Sequence, residues 1–139
     1  MRGVFLIKGE TEVKLKNREI QTLWMQMEQL GKKNFPVKLS FKLAKNKRLI
    51  AEIAEIIESQ RKEICEKYAK KNENGEAVID NGIYVIEDKK GLDREYHELM
   101  EIETEVAFLA IQEADLEKCG EGRFDAISLD EMEILQKMM

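Results

Sequence analysis

The chain has 139 residues and a mass of 16.2 kDa, with 43% hydrophobic and 37% charged side chains. That is too apolar for a disordered polymer, too charged for a membrane protein, and long enough for one domain spanning 1–139. Twenty-three Lys+Arg against 28 Asp+Glu leave a net charge of −5, which argues for solubility rather than general polyanion binding, and one proline with eight glycines excludes collagen-like and proline-rich linker classes.

Val4, Phe5, Leu6 and Ile7 form an apolar run of four. A signal peptide needs roughly 7–15 apolar residues and a small-residue cleavage site, and a bilayer span needs roughly 18–20 apolar residues. The expectation is a cytoplasmic protein. Gly9 follows, then the alternating Glu12-Val13-Lys14-Leu15-Lys16, so the opening reads as two strands turning near Gly9. Asn17 reads as a helix N-cap. Ile20, Leu23, Trp24, Met27 and Leu30 recur at the 3.6-residue period of a helix over 18–30. Gly31 is the expected C-cap because it tolerates a left-handed backbone.

Pro36 suits a first helical turn and keeps Phe35 out of the helix. No Gly or Pro interrupts 37–70. Leu39, Leu43, Ile50, Ile53, Ile57 and Ile64, with Leu49 and Ile56 alongside, mark the apolar side of a helix about 50 Å long. Asn46 and Gln60 interrupt its heptad seam, which disfavours a plain coiled coil and favours a helical hairpin with mixed packing. Asn72, Asn74 and Gly75 end this segment. Asn81-Gly82 between two β-prone runs predicts a tight hairpin at 75–88, since both residues accept positive φ cheaply. Leu92, Tyr96 and Leu99 mark a shorter helix, 92–103, the antiparallel partner of the long one. Thr104–Ile111 reads as a strand that pairs with the N-terminal strands. Ser128-x-x-Glu131 is a capping box opening a last helix. The predicted class is α+β: a helical hairpin over 37–103 with a long central helix and an inserted β-hairpin at its tip, packed on a small antiparallel sheet.

Few residues offer chemistry. The single histidine, His97, sits in a His-Glu-x-x run whose fifth place is Glu101 rather than a second histidine, so a zinc-protease helix is not formed. One histidine and two cysteines 54 positions apart, Cys65 and Cys119, do not make a four-ligand zinc site, and they read as reduced thiols. A calcium loop through Asn72 and Asn74 would start at Lys70 and end at Asn81, with the wrong charge and no bidentate Glu. Phosphate-binding glycine loops and the serine elbow are missing from the sequence. The carboxylates at 52, 55 and 58 and at 101, 103 and 105 read as solvated faces. These readings predict a protein without enzymatic activity, metal or cofactor.

The strongest charge feature is the segment 32–48, which carries seven cations (Lys32, Lys33, Lys38, Lys42, Lys45, Lys47 and Arg48) and no acid. Lys38, Lys42 and Lys45 share one helical face; with Arg48 they are candidates to grip an acidic protein or, alternatively, a nucleic-acid backbone. Residues 113–133 are acidic, so copies could also associate head to tail. Met25 lies off the apolar stripe of the first helix and is a further candidate contact residue, as are Asn81 and Tyr84 on the hairpin.

Several strings resemble a family of small proteins from phages and prophages of Gram-positive bacteria, of unknown function. They are Val13-Lys14-Leu15-Lys16-Asn17, Phe35-Pro36-Val37-Lys38-Leu39-Ser40-Phe41-Lys42-Leu43-Ala44-Lys45, Glu66-Lys67-Tyr68, Asn72-Glu73-Asn74-Gly75, Gly82-Ile83-Tyr84-Val85-Ile86, Glu98-Leu99 and Glu105-Val106. Together they cover roughly residues 12–110. The motifs are caps, turns and core positions, so the resemblance implies a phage-type protein and transfers no active-site residue. The expected function is non-enzymatic protein–protein contact. The protein would be a host-directed accessory factor in the host cytoplasm, such as an inhibitor of a bacterial defence or host complex, or else a virion or tail-assembly component.

Overall fold

The computed structural model describes residues 9–139. Strand β1 (Glu10–Lys16) runs straight into helix α1 (Asn17–Leu30), and helix α2 (Val37–Tyr68) follows after a short connection. The two-residue strands β2 (Ile79–Asp80) and β3 (Ile83–Tyr84) lead to α3 (Lys89–Glu101), β4 (Glu103–Leu109), the single turn α4 (Glu113–Leu116) and α5 (Leu129–Gln136). The fold is α+β, with a long central helix, a β-hairpin inserted between the arms of a helical hairpin, and a small antiparallel sheet. The predicted turn near Gly9 involves residues 1–8, which lie outside the described residues.

At 32 residues α2 is about 48 Å long. It starts directly after Pro36, whose carbonyl accepts from the Ser40 amide at 2.9 Å. Leu39, Leu43, Ile50 and Ile57 face the core. Asn46 joins them, fully buried, and meets its hydrogen-bonding needs on the edge of β4: its Nδ2 donates to the Leu109 carbonyl at 3.0 Å and its Oδ1 accepts from the Leu109 amide at 2.8 Å. A buried amide side chain paired in this way fixes one alignment of helix on strand, because sliding either element would leave both partners unsatisfied.

Strands β1 and β4 pair antiparallel, Glu10 opposite Leu109 through Lys16 opposite Glu103. Leu15, Val106 and Phe108 share the inward face, and Phe108 is completely buried. The expected N-cap role of Asn17 is not realised. Asn17 is already helical and buried; it donates to the Leu99 carbonyl and accepts from the Thr104 hydroxyl, tying α1 to α3 and β4. The Glu19 carboxylate caps instead, accepting from the Lys16 amide at 3.0 Å. Gly31 is the C-cap of α1 as expected, but its φ is −64°, right-handed, so the helix end does not use its left-handed freedom.

The distal end of the hairpin follows the predicted turn chemistry. Asn81 and Gly82 adopt φ of 52° and 77°, the pair of left-handed residues that a two-residue hairpin turn requires. Lys70, just past α2, donates to the Val85 carbonyl and accepts from the Val78 amide, so both arms of the hairpin are stitched to the end of the long helix. α3 begins at Lys89, ahead of the expected Leu92, because Asp88 caps it by accepting from the Gly91 amide at 3.0 Å. Gly91 is required there: a Cβ would run into the Tyr68 ring. Ser128 and Glu131 form the predicted capping box, while α5 ends at Gln136 and its following Met138 is fully buried.

Candidate interaction surface

Core positions of α2 recur at 39, 43, 46, 50 and 57. At 100° per residue Phe41, Lys45, Arg48 and Glu52 fall on the opposite side of that helix, and Lys38, Leu49 and Ile56 fall on its adjoining flank. All seven are exposed. Val37 is 80% exposed, Phe41 60%, Ile56 62% and Leu49 38%, so the solvent side of α2 carries four large apolar side chains among charges. The expectation that Leu49 and Ile56 accompany the core stripe is overturned: each immediately precedes a core position and therefore points about 100° away from it.

Phe41, Lys45, Arg48, Leu49 and Glu52 line one wall of a groove of about 770 Å³, and Ala107 and Leu109 of β4 with Glu10 of β1 line the other. Lys45 rests 5.9 Å above the Phe41 ring, so the cation and the ring form one amphipathic patch. Lys38 and Arg48 are exposed beside it.

Lys42, expected on the same contact face, is turned inward. Its Nζ lies 2.6 Å from Asp115 Oδ2 and donates to the Ala110 carbonyl at 2.9 Å. Burial pushes the Asp115 carboxyl up, but hydrogen bonds from Lys42 and from the Gln112 amide outweigh it and hold the group below the usual range. Lys33 is likewise engaged with Glu131 at 2.7 Å, and Lys47 with Glu28 at 3.3 Å while lying 5.4 Å from the Trp24 ring. The Lys33 hydrogen bond is the main reason that Glu131 is held below its ordinary value. The acidic C-terminal segment thus folds onto the basic segment of its own chain. The fold neutralises much of the cationic run that the sequence displays, and it uses Asp115 and Glu131, two of the acids that a head-to-tail association would have offered.

The remaining candidate residues are dispersed. Met25, 66% exposed, stands on α1. Asn81 is exposed at the hairpin turn, beside exposed Ile79 and Ile83. Tyr84 donates to Glu66 Oε1 at 2.7 Å, a bond that raises the phenol pKa. Glu66 is 18 residues beyond Arg48, about 27 Å along the helix, so the hairpin and the basic groove are separate surfaces. Sequence reading placed Glu52 on a solvated face but missed Phe41, Leu49 and Ile56 as surface candidates. Plotting the helix at 100° per residue from Ile50 places all three away from the core.

Among the described residues, no cluster of three His, Cys, Asp or Glu is arranged to hold a metal ion, and no helix is long and apolar enough to cross a membrane. His97 is exposed on α3. Cys65 and Cys119 are free and half-buried; Arg61 Nη1 donates to Cys65 Sγ at 3.6 Å, and burial pushes the Cys119 thiol up, which keeps it protonated and poorly nucleophilic at neutral pH. Compared with known proteins, the chain matches no family model, no curated protein and no solved structure.

Proposed function

We propose that this is a non-enzymatic protein of phage type that acts by protein–protein contact through the solvent side of α2. The supporting observation is the exposed Phe41–Leu49–Ile56 series, interleaved with Lys45, Arg48 and Glu52 and bordered by a groove. Large apolar side chains exposed in series along one helix and interleaved with charges supply the anchors and the polar surround of a contact surface. The phage origin rests on the sequence resemblance, and the reading places the protein in the host cytoplasm as a host-directed accessory factor, for instance an inhibitor of a defence or host complex. Incorporation into virions or tails is the other form of the same contact function. A nucleic-acid role is less well supported, because Lys33, Lys42 and Lys47 already face acids of the same chain, leaving Lys38, Lys45 and Arg48 as the exposed helical cations of the segment.

Mass spectrometry of purified particles and of infected-cell lysate tests the reading. Presence in lysate and absence from particles is the expected result, and stoichiometric incorporation into particles would replace the host-directed form with the assembly form. Affinity capture from the same lysate should recover a stoichiometric partner with the wild-type chain and lose it with Phe41→Asp. Capture unaffected by that substitution overturns the assignment of the surface.

A further inference from the structure

We infer that the solvent side of α2 is a self-complementary interface on which a second copy of this chain docks, its α2 antiparallel to the first. The inference rests on the contact reading above and names the partner at the same surface. It follows from the order of side chains along the exposed stripe. About the midpoint between Arg48 and Leu49, Phe41 mirrors Ile56, apolar against apolar, and Lys45 mirrors Glu52, cation against anion, while Arg48 and Leu49 flank the midpoint itself.

A two-fold axis at that midpoint therefore sets Phe41 of one copy against Ile56 of the other, and Lys45 against Glu52, each pairing occurring twice. At the axis the aliphatic stem of each Arg48 covers the Leu49 of the other copy, leaving its guanidinium within one helical turn of the opposing Glu52. A self-complementary patch related by a two-fold closes on itself as a dimer and leaves no unsatisfied copy of the interface. Parallel in-register pairing would instead oppose Lys45 with Lys45 and Glu52 with Glu52, so the charge order selects the antiparallel arrangement.

Positions 41–56 span about 23 Å of straight helix, and all six interface residues are exposed in the monomer. Lys45, Arg48 and Glu52 make no ion pair with another described residue, so their charges are available to a partner. The neighbouring cations Lys42 and Lys47 are spent on Asp115 and Glu28 and do not oppose the approach of a second helix as bare charges. The second wall of the groove combines Ala107 and Leu109 of β4 with the Glu10 carboxylate of β1, so the edge of the incoming helix meets apolar surface beside one acid.

Sedimentation equilibrium of the full chain across about 1–100 µM tests this directly. The expected mass rises toward twice that of the chain. Lys45→Glu and Glu52→Lys should each weaken the dimer at least tenfold, and the double variant Lys45→Glu/Glu52→Lys should restore it, because both pairings are then inverted rather than lost. Phe41→Asp should leave a monomer with an unchanged circular dichroism spectrum, since the position is exposed. A wild-type monomer at every concentration, or a dimer indifferent to both single charge reversals, overturns the inference. A wild-type monomer that still captures a foreign protein, lost with Phe41→Asp, would leave the contact function standing and remove only the second copy. A charge-dependent dimer that captures no foreign protein would retain the interface and remove the host-directed reading.

Discussion

Along the first half of α2, Leu39, Leu43, Asn46 and Ile50 are buried against α1, the β1–β4 sheet and the C-terminal segment, whereas every position from Glu58 to Tyr68 is half-buried or exposed. One continuous helix thus belongs to two environments. Near its start it is the centre of a core closed on several sides by elements distant in sequence. Near its end it has α3 on one side and the stitched hairpin at the tip. Helical continuity is a local property and survives this change. Stability is a property of packing and does not, so the tip region should open more readily than the base.

Truncation gives the largest separation between the two regions. Ile50→Ala should cost about 4 kcal/mol in chemical denaturation, through lost burial and the cavity left behind, whereas Ile64→Ala, half-buried toward the tip, should cost about 1 kcal/mol. Equal losses would show that the tip is packed as firmly as the base.

Lys42→Met should cost about 3 kcal/mol by leaving the Asp115 carboxylate buried without its cation. The pH dependence sharpens this test. Asp115 and Glu131 have depressed pKa values when folded, so their contribution is present above the ordinary carboxylate range and is lost as pH falls below about 4 and through the depressed values. The wild type should therefore lose stability on acidification, and Lys42→Met should lose less, because Asp115 no longer has a depressed value to give up.

Asn46→Ala should cost about 2 kcal/mol, since the Leu109 amide and carbonyl lose their shared partner. Hydrogen exchange should show the loss as faster exchange of the Leu109 amide at the base. Smallest is Gly82→Ala, about 1 kcal/mol, for forcing a Cβ into a left-handed turn residue. Its effect should be confined to amides of the hairpin, and spreading of faster exchange to the amides around Ile50 would erase the distinction between base and tip.

The sequence by itself determined the elements and their local chemistry. An uninterrupted run free of Gly and Pro specified α2, Asn81-Gly82 specified the turn, and Ser128 with Glu131 specified the start of α5, because each depends on sterics and hydrogen bonds reaching no more than a few residues along the chain. The candidate surface was legible only in part. Lys45 and Arg48 could be read as exposed cations, but Leu49 and Ile56 read as core, and Lys42 read as free. The tertiary structure decided these. Asn46 meets Leu109 across 63 positions of chain and Lys42 meets Asp115 across 73. Such partners are chosen by how the layers pack, since a buried amide or ammonium must find whichever acceptor the assembled core brings within reach, and no spacing rule along the chain encodes which one that is.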